Sequence, residues 1–196
     1  MAPDIRKARD LALLDSVDAL DREAVSLDAW RVVRAGRDPL QGAPSRSRWC
    51  NETFDVLYTS LERDGAVAEI FSLLNSQPVF PSKIEAHAHL VSVSLTKVLR
   101  LDAPGSLANL GVDISRFKER DYLRSQAIAD AAHFLDFEGL IVPSARWNCS
   151  NLVIFSDRIT PDAISHKGSE TDPIDWTAWR RKRTCLLYTS PSPRDS

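Results

Sequence analysis

An α+β fold is predicted for this chain on three observations. Strand-like and helix-like segments follow one another without regular alternation, which argues against a doubly wound sheet. From His87 to Leu101, Val91, Val93 and Leu95 alternate with Ser92, Ser94 and Thr96, the period-two pattern of a strand with one buried face. Two short apolar strands, Leu140-Ile141-Val142 and Leu152-Val153-Ile154-Phe155, bracket a loop from Pro143 to Asn151.

The remaining elements follow in chain order. Leu11, Leu14, Val17 and Leu20 recur at helical spacing among Asp and Arg, predicting an amphipathic helix from about Ala8 to Val25. Ala29-Trp30-Arg31-Val32-Val33-Arg34 has strand composition. Gly36, Pro39, Gly42 and Pro44 then impose a long loop that ends near Arg48-Trp49. Val56-Leu57-Tyr58-Thr59 reads as a strand running into Ser60, a favourable N-cap, and the helix that follows should reach about Asn75, before Pro78. Arg120 to Leu135 reads as a further helix.

Composition narrows the function. The 196 residues fit one domain with a sizeable core. With 25 Lys+Arg against 27 Asp+Glu, no global field draws the chain to nucleic acid or an anionic membrane. No apolar run is long enough to span a bilayer, and Met1 to Asp10 carries charges where a signal peptide needs an apolar core, so a cytoplasmic location is expected. On that reading the Asn51-Glu52-Thr53 and Asn148-Cys149-Ser150 triplets are not glycosylation sites, and Cys50 and Cys149 are reduced thiols. The segment Cys185 to Asp195 looks like a translated sequencing adaptor, so 185–196 is set aside as a non-native tail and the native end is expected to lie beyond about Thr184. The expected organisation is a helical extension over 1–27, a domain over 28–184, and that tail.

Several side chains have the chemistry of a site. On the helix after Ser60, Val67, Ile70, Phe71 and Leu74 form the core stripe, and Glu69 projects from the opposite side. Spacing alone favours a solvated glutamate, yet Gly65, Ala66, Ser72 and Leu73 on that side would admit a ligand or another segment. Arg31 stands in an apolar strand, where its charge needs either solvent or a partner. Its planar fork, like that of Arg48 in the Gly/Pro-rich loop, matches phosphate geometry. Tyr58 suits stacking on a flat ring or a buried role with its hydroxyl bonded. Ser144 lacks a nucleophile-elbow context, so its hydroxyl reads as a hydrogen-bonding group. His87 and His89 share a strand face, but no third metal ligand is evident, and phosphate-loop and dinucleotide-fold glycine motifs are absent.

The order of Trp30-Arg31-Val32, Arg48-Trp49-x-Asn51, Val56-Leu57-Tyr58-Thr59-Ser60, Ala68-Glu69-Ile70, Gln126-Ala127-Ile128-Ala129-Asp130, Val142-Pro143-Ser144 and Asn151-Leu152 resembles the RES family, named for Arg, Glu and Ser. Family members are NAD+-degrading or ADP-ribosylating toxins of toxin–antitoxin pairs. The resemblance implies an ADP-ribosyltransferase-like core, a split and curved mixed sheet with flanking helices. It implies that Glu69 is catalytic, that Arg31 and Arg48 line the pyrophosphate and ribose side of NAD+, that Tyr58 packs on the nicotinamide or its ribose, and that Ser144 and Asn151 position the substrate. NAD+ is then a substrate and no resident cofactor or metal is expected. The implied partner is an Xre-like antitoxin encoded nearby. Where the family has two glycines before Arg-Trp, this chain has Arg46-Ser47, and Cys50 stands between Trp49 and Asn51. The expected reaction is cleavage of the nicotinamide–ribose bond by hydrolysis or phosphorolysis. The alternatives are mono-ADP-ribosylation of a protein and an inactive binding module.

Overall fold

The computed structural model describes residues 9–81 and 83–189, the stretch 183–189 by backbone alone. Strands β1 (Glu23–Arg34), β4 (Val56–Ser60), β5 (Ala86–Arg100), β6 (Gly139–Pro143), β7 (Ser150–Phe155) and β8 (Ile164–Ser169) form a mixed sheet in the order β1-β4-β7-β6-β5-β8. Only the β5–β6 pair is parallel. An additional antiparallel ladder between β1 and β5, from Arg34 opposite Ala86 to Glu23 opposite Val98, curls the sheet back on itself. The opposite edge of β1 meets β4 through one register pair, Trp30 with Ser60, so the curl is loosely closed there. A separate ribbon joins β2 (Arg46–Ser47) to β3 (Cys50–Asn51).

Helices α1 (Leu11–Asp18), α2 (Arg63–Leu74), α3 (Ser106–Asn109), α4 (Leu123–Phe134) and α5 (Trp176–Thr189) flank this sheet. Three apolar clusters hold it. Ala29, Leu57, Val91, Val93, Leu95, Ile141, Leu152 and Ile154 form one. α1 and α4 pack Leu13, Val17 and Ile128 with Val153 and Phe155. α2 packs Val67, Ala68 and Phe71 with Ala86, Ala88 and the indoles of Trp176 and Trp179.

The structure corrects several expectations. The first helix ends at Asp18, and Val25 belongs to β1. From Glu23 to Asp28 the residues alternate between partly buried and exposed, which is a strand's period, and β5 supplies the partner ladder. Ser60 does not cap α2: it remains the last residue of β4, and Glu62 precedes the helix without a side-chain cap. α4 starts at Leu123, three residues after the expected Arg120. α3, β8 and α5 were not anticipated. Residues 1–8 of the expected extension and 190–196 of the expected tail lie outside the described residues, while 185–189 continue the backbone of α5.

Candidate active site

A cavity of about 340 Å³ opens where β1 and β4 barely touch, lined from β1, β4, α2, β7, the β2–β3 ribbon and the β6–β7 loop. α2 carries Glu69 to its wall, because Val67, Phe71 and Leu74 bury the helix on the far side while Ala66, Ile70 and Leu73 line the cavity with it. Gly65 allows this approach, since a Cβ there would collide with Ser60 Oγ and Cys149 Sγ.

Glu69 is held by two side chains from the β6–β7 region. Ser144 Oγ donates to Glu69 Oε1 at 2.7 Å, and Asn151 Nδ2 donates to the same oxygen at 2.9 Å. Ser144 Oγ in turn accepts the backbone N–H groups of Arg146 and Trp147, at 3.1 and 3.2 Å, so its own proton is directed at the carboxylate. Among the described residues nothing hydrogen-bonds Oε2. Asn151 is 6% exposed and its Oδ1 is a buried acceptor without a partner among the described residues. The solvated alternative for Glu69 is thereby excluded: the residue is half-buried and clamped.

Arg31 meets its expected need for a partner through backbone oxygens. Its Nη1 donates to Pro39 O at 2.8 Å and its Nη2 to Gln41 O at 2.9 Å. Burial lowers its pKa from the usual arginine value, opposed by the charge of Asp38. Arg48 Nη2 donates to Glu119 O at 3.0 Å, and the guanidinium lies 4.4 Å from the Phe117 ring and 4.7 Å from the Tyr122 ring. Burial lowers its pKa too, with Tyr122 opposing and Arg146 adding to the fall.

Tyr58 lines the cavity, but its hydroxyl is committed to the ribbon: it accepts the Trp49 N–H at 2.9 Å and bonds Ser47 Oγ at 2.6 Å. Burial raises its pKa above the usual phenol value. The departure at Arg46-Ser47 therefore leaves an ordered loop, since Gln126 Nε2 also donates to Ser47 O and Cys50 O. Tyr58→Phe should strand the N–H of buried Trp49 and cost about 1–3 kcal/mol, the scale of an unsatisfied buried donor. Urea unfolding at unchanged slope checks this, and a midpoint equal to wild type would show that the ribbon does not need the phenol.

All six expected site residues thus converge: Arg31, Arg48, Tyr58, Glu69 and Asn151 line the cavity, and Ser144 stands behind Glu69. Sequence reasoning missed Arg120, Tyr122 and Arg146, which also line it. His87 and His89 take no part: His87 Nδ1 pairs with Glu170 O and His89 Nδ1 with His166 Nε2. Among the described residues no three His, Cys, Asp or Glu gather to hold a metal, and no helix is long and apolar enough to cross a membrane.

Fold and site together define a mixed α/β protein with a cleft built around a clamped carboxylate and a ring of arginines. The chain belongs to the RES domain family, whose sequence profile matches residues 28–192. It is 30% identical over 152 residues to a Mycobacterium tuberculosis protein named probable NAD(+) phosphorylase, a match covering 74% of this chain and 72% of that protein. Its fold is similar to a chain in the crystal structure of the M. tuberculosis MbcT–MbcA toxin–antitoxin complex, with a TM-score of 0.77 at 22% identity, over 90% of this chain and all of that one.

Proposed function

We propose that this chain is an NAD+-cleaving toxin that breaks the nicotinamide–ribose bond and transfers the ADP-ribosyl group to phosphate or water. The observation that carries this is the Glu69 carboxylate, fixed through one oxygen by Ser144 and Asn151 in a cavity whose other charged lining residues are arginines. Departure of nicotinamide places positive charge on the ribose, and a preoriented carboxylate stabilises it while accepting a ribose hydroxyl.

In this reading the curled sheet is an ADP-ribosyltransferase-like core. Arg31 faces the pyrophosphate, Arg48 the ribose side, and Tyr58 forms a wall against the nicotinamide end. NAD+ is the substrate, no resident cofactor takes part, and the setting is the cytoplasm. The name of the M. tuberculosis relative favours phosphate as acceptor. The toxin–antitoxin complex of similar fold supports neutralisation by a partner protein, and the reading assigns an Xre-like antitoxin to this chain.

Purified protein incubated with NAD+ and inorganic phosphate should release nicotinamide without any acceptor protein. Expression alone should arrest a bacterial host, with relief by the neighbouring gene's product. ADP-ribose appearing on a protein, with no release in its absence, would instead identify a transferase; an intact protein that neither consumes NAD+ nor slows growth would leave only a binding module.

A further inference from the structure

A cavity of about 340 Å³ is at the small end of what a drug-sized ligand fills, roughly 300–1,000 Å³, and a dinucleotide exceeds most such ligands. A second cavity, of about 360 Å³, lies next to it: Arg31 and Val32 of β1 and Ile70 and Leu73 of α2 line both. β1 explains the space. One of its edges is laddered to β5 as far as Arg34, whereas the other meets β4 only at Trp30. From Arg31 onward that second edge has no strand partner among the described residues, and α2 and the loop after β1 wall the gap. The loop is held in place: Arg31 binds Pro39 O and Gln41 O, and Ala43 and Val56 exchange backbone hydrogen bonds, both at 3.1 Å.

This second cavity combines an apolar wall with excess positive charge. Val32, Ile70, Leu74 and Ile84 offer apolar surface to a purine. Arg31, Arg34 and Arg37 line it beside a single carboxylate, that of Asp38, in a chain whose net charge is −2. Asp38 Oδ1 already accepts the Leu40 N–H, at 2.8 Å. Arg37 N donates to Arg34 O at 3.1 Å across a turn in which Gly36 takes a φ of 78°, so the two arginines stand at the ends of one tight turn. Both are exposed, and neither guanidinium has a partner among the described residues. NAD+ carries no phosphate beyond the pyrophosphate already assigned to Arg31, so two further guanidinium forks exceed what it uses. In dinucleotide-binding folds generally, an arginine near the adenosine ribose takes up a 2′-phosphate.

We infer that the second cavity receives the adenosine half of the substrate and that Arg34 and Arg37 bind a phosphate on its ribose 2′ oxygen, so that the protein cleaves NADP+ as well as NAD+. This rests on the NAD+-cleaving reading and widens its substrate class. The same carbon–nitrogen bond breaks, and its electron pair leaves with neutral nicotinamide. The 2′-phosphorylated ADP-ribosyl group passes to the acceptor, phosphate or water, whose proton goes to solvent. Paired guanidinium forks match the oxygens of a phosphate monoester, and the turn holds them at the cavity wall.

The test is kcat/KM for nicotinamide release from NAD+ and from NADP+, for wild type and the double variant Arg34→Ala/Arg37→Ala. Calorimetric binding of adenosine 2′,5′-bisphosphate and adenosine 5′-monophosphate accompanies it. Wild type should use the two dinucleotides within about tenfold of each other. The double variant should lose roughly 10–100-fold with NADP+, the scale of lost charge-assisted hydrogen bonds, and less than about twofold with NAD+. Its thermal unfolding should match wild type, because both side chains are exposed. The bisphosphate should bind wild type more tightly than the monophosphate does, and the double variant should erase that difference. Equal losses with both dinucleotides would reduce the pair to a general attraction for anions and overturn the inference. Wild type that cleaves NAD+ and leaves NADP+ whole would overturn it too. Wild type that cleaves neither, yet prefers the bisphosphate through Arg34 and Arg37, would uphold the adenosine site while sinking the cleavage reading.

Discussion

Glu69→Gln should keep the fold and lose about 10²–10³ in the rate of nicotinamide release, the scale of removing one preorganised electrostatic group. The substitution is informative because the clamp can survive it. Ser144 Oγ and Asn151 Nδ2 both donate to Oε1, and a glutamine amide oxygen can accept both bonds in the same place. What disappears is the negative charge facing the ribose as it becomes cationic. Thermal unfolding should therefore match wild type while turnover collapses. A variant that turns over NAD+ normally would reduce Glu69 to a packing residue and remove the main support for the proposed chemistry.

How far the site was legible depended on whether its signal was local. Around Glu69 the small residues Gly65, Ala66 and Ser72 were a readable hint of close approach, and the structure puts Gly65 against Ser60 and Cys149 and lines the cavity with Ala66 and Ser72. Arg31 announced itself as a charge between Trp30 and Val32, but its partners, the carbonyls of Pro39 and Gln41, belong to a loop whose path no periodicity encodes. Arg120 and Arg146 carried no signal: each is an arginine in a polar stretch, and only tertiary packing brings them to one cavity.

The same distinction holds for the fold. β5 was evident from its alternation, whereas β8 was not, because it pairs with β5 alone and most of its residues are exposed. The start of α5 did leave a local trace that went unread. Asp175 accepts the N–H groups of Thr177 and Ala178, and Trp176 and Trp179, three apart, bury against the α2 cluster. The closure of β1 on β5 was not readable at all, since both strands have ordinary patterns and only their long ladder makes the curl.

Arg31→Lys should weaken NAD+ binding by roughly two orders of magnitude, as expected when charge-assisted hydrogen bonds of about 1.5–3 kcal/mol each are lost. Charge is conserved in this substitution, so the effect isolates geometry. The guanidinium spans two carbonyls with separate nitrogens, fixing the Pro39–Gln41 loop beside the cavity while other N–H groups remain for a pyrophosphate. A lysine ammonium is one point with three donors and cannot bridge both carbonyls and a ligand in that plane. NAD+ carries two phosphate charges while the chain as a whole is at −2, so attraction must come from such local cations. Calorimetry at two salt concentrations gives the measurement, with Arg48→Ala alongside. The Arg48 variant should lose less affinity, and its deficit should shrink at higher salt, where screening already weakens the wild-type attraction. Wild-type affinity in both variants at both salt concentrations would place the pyrophosphate away from Arg31 and Arg48.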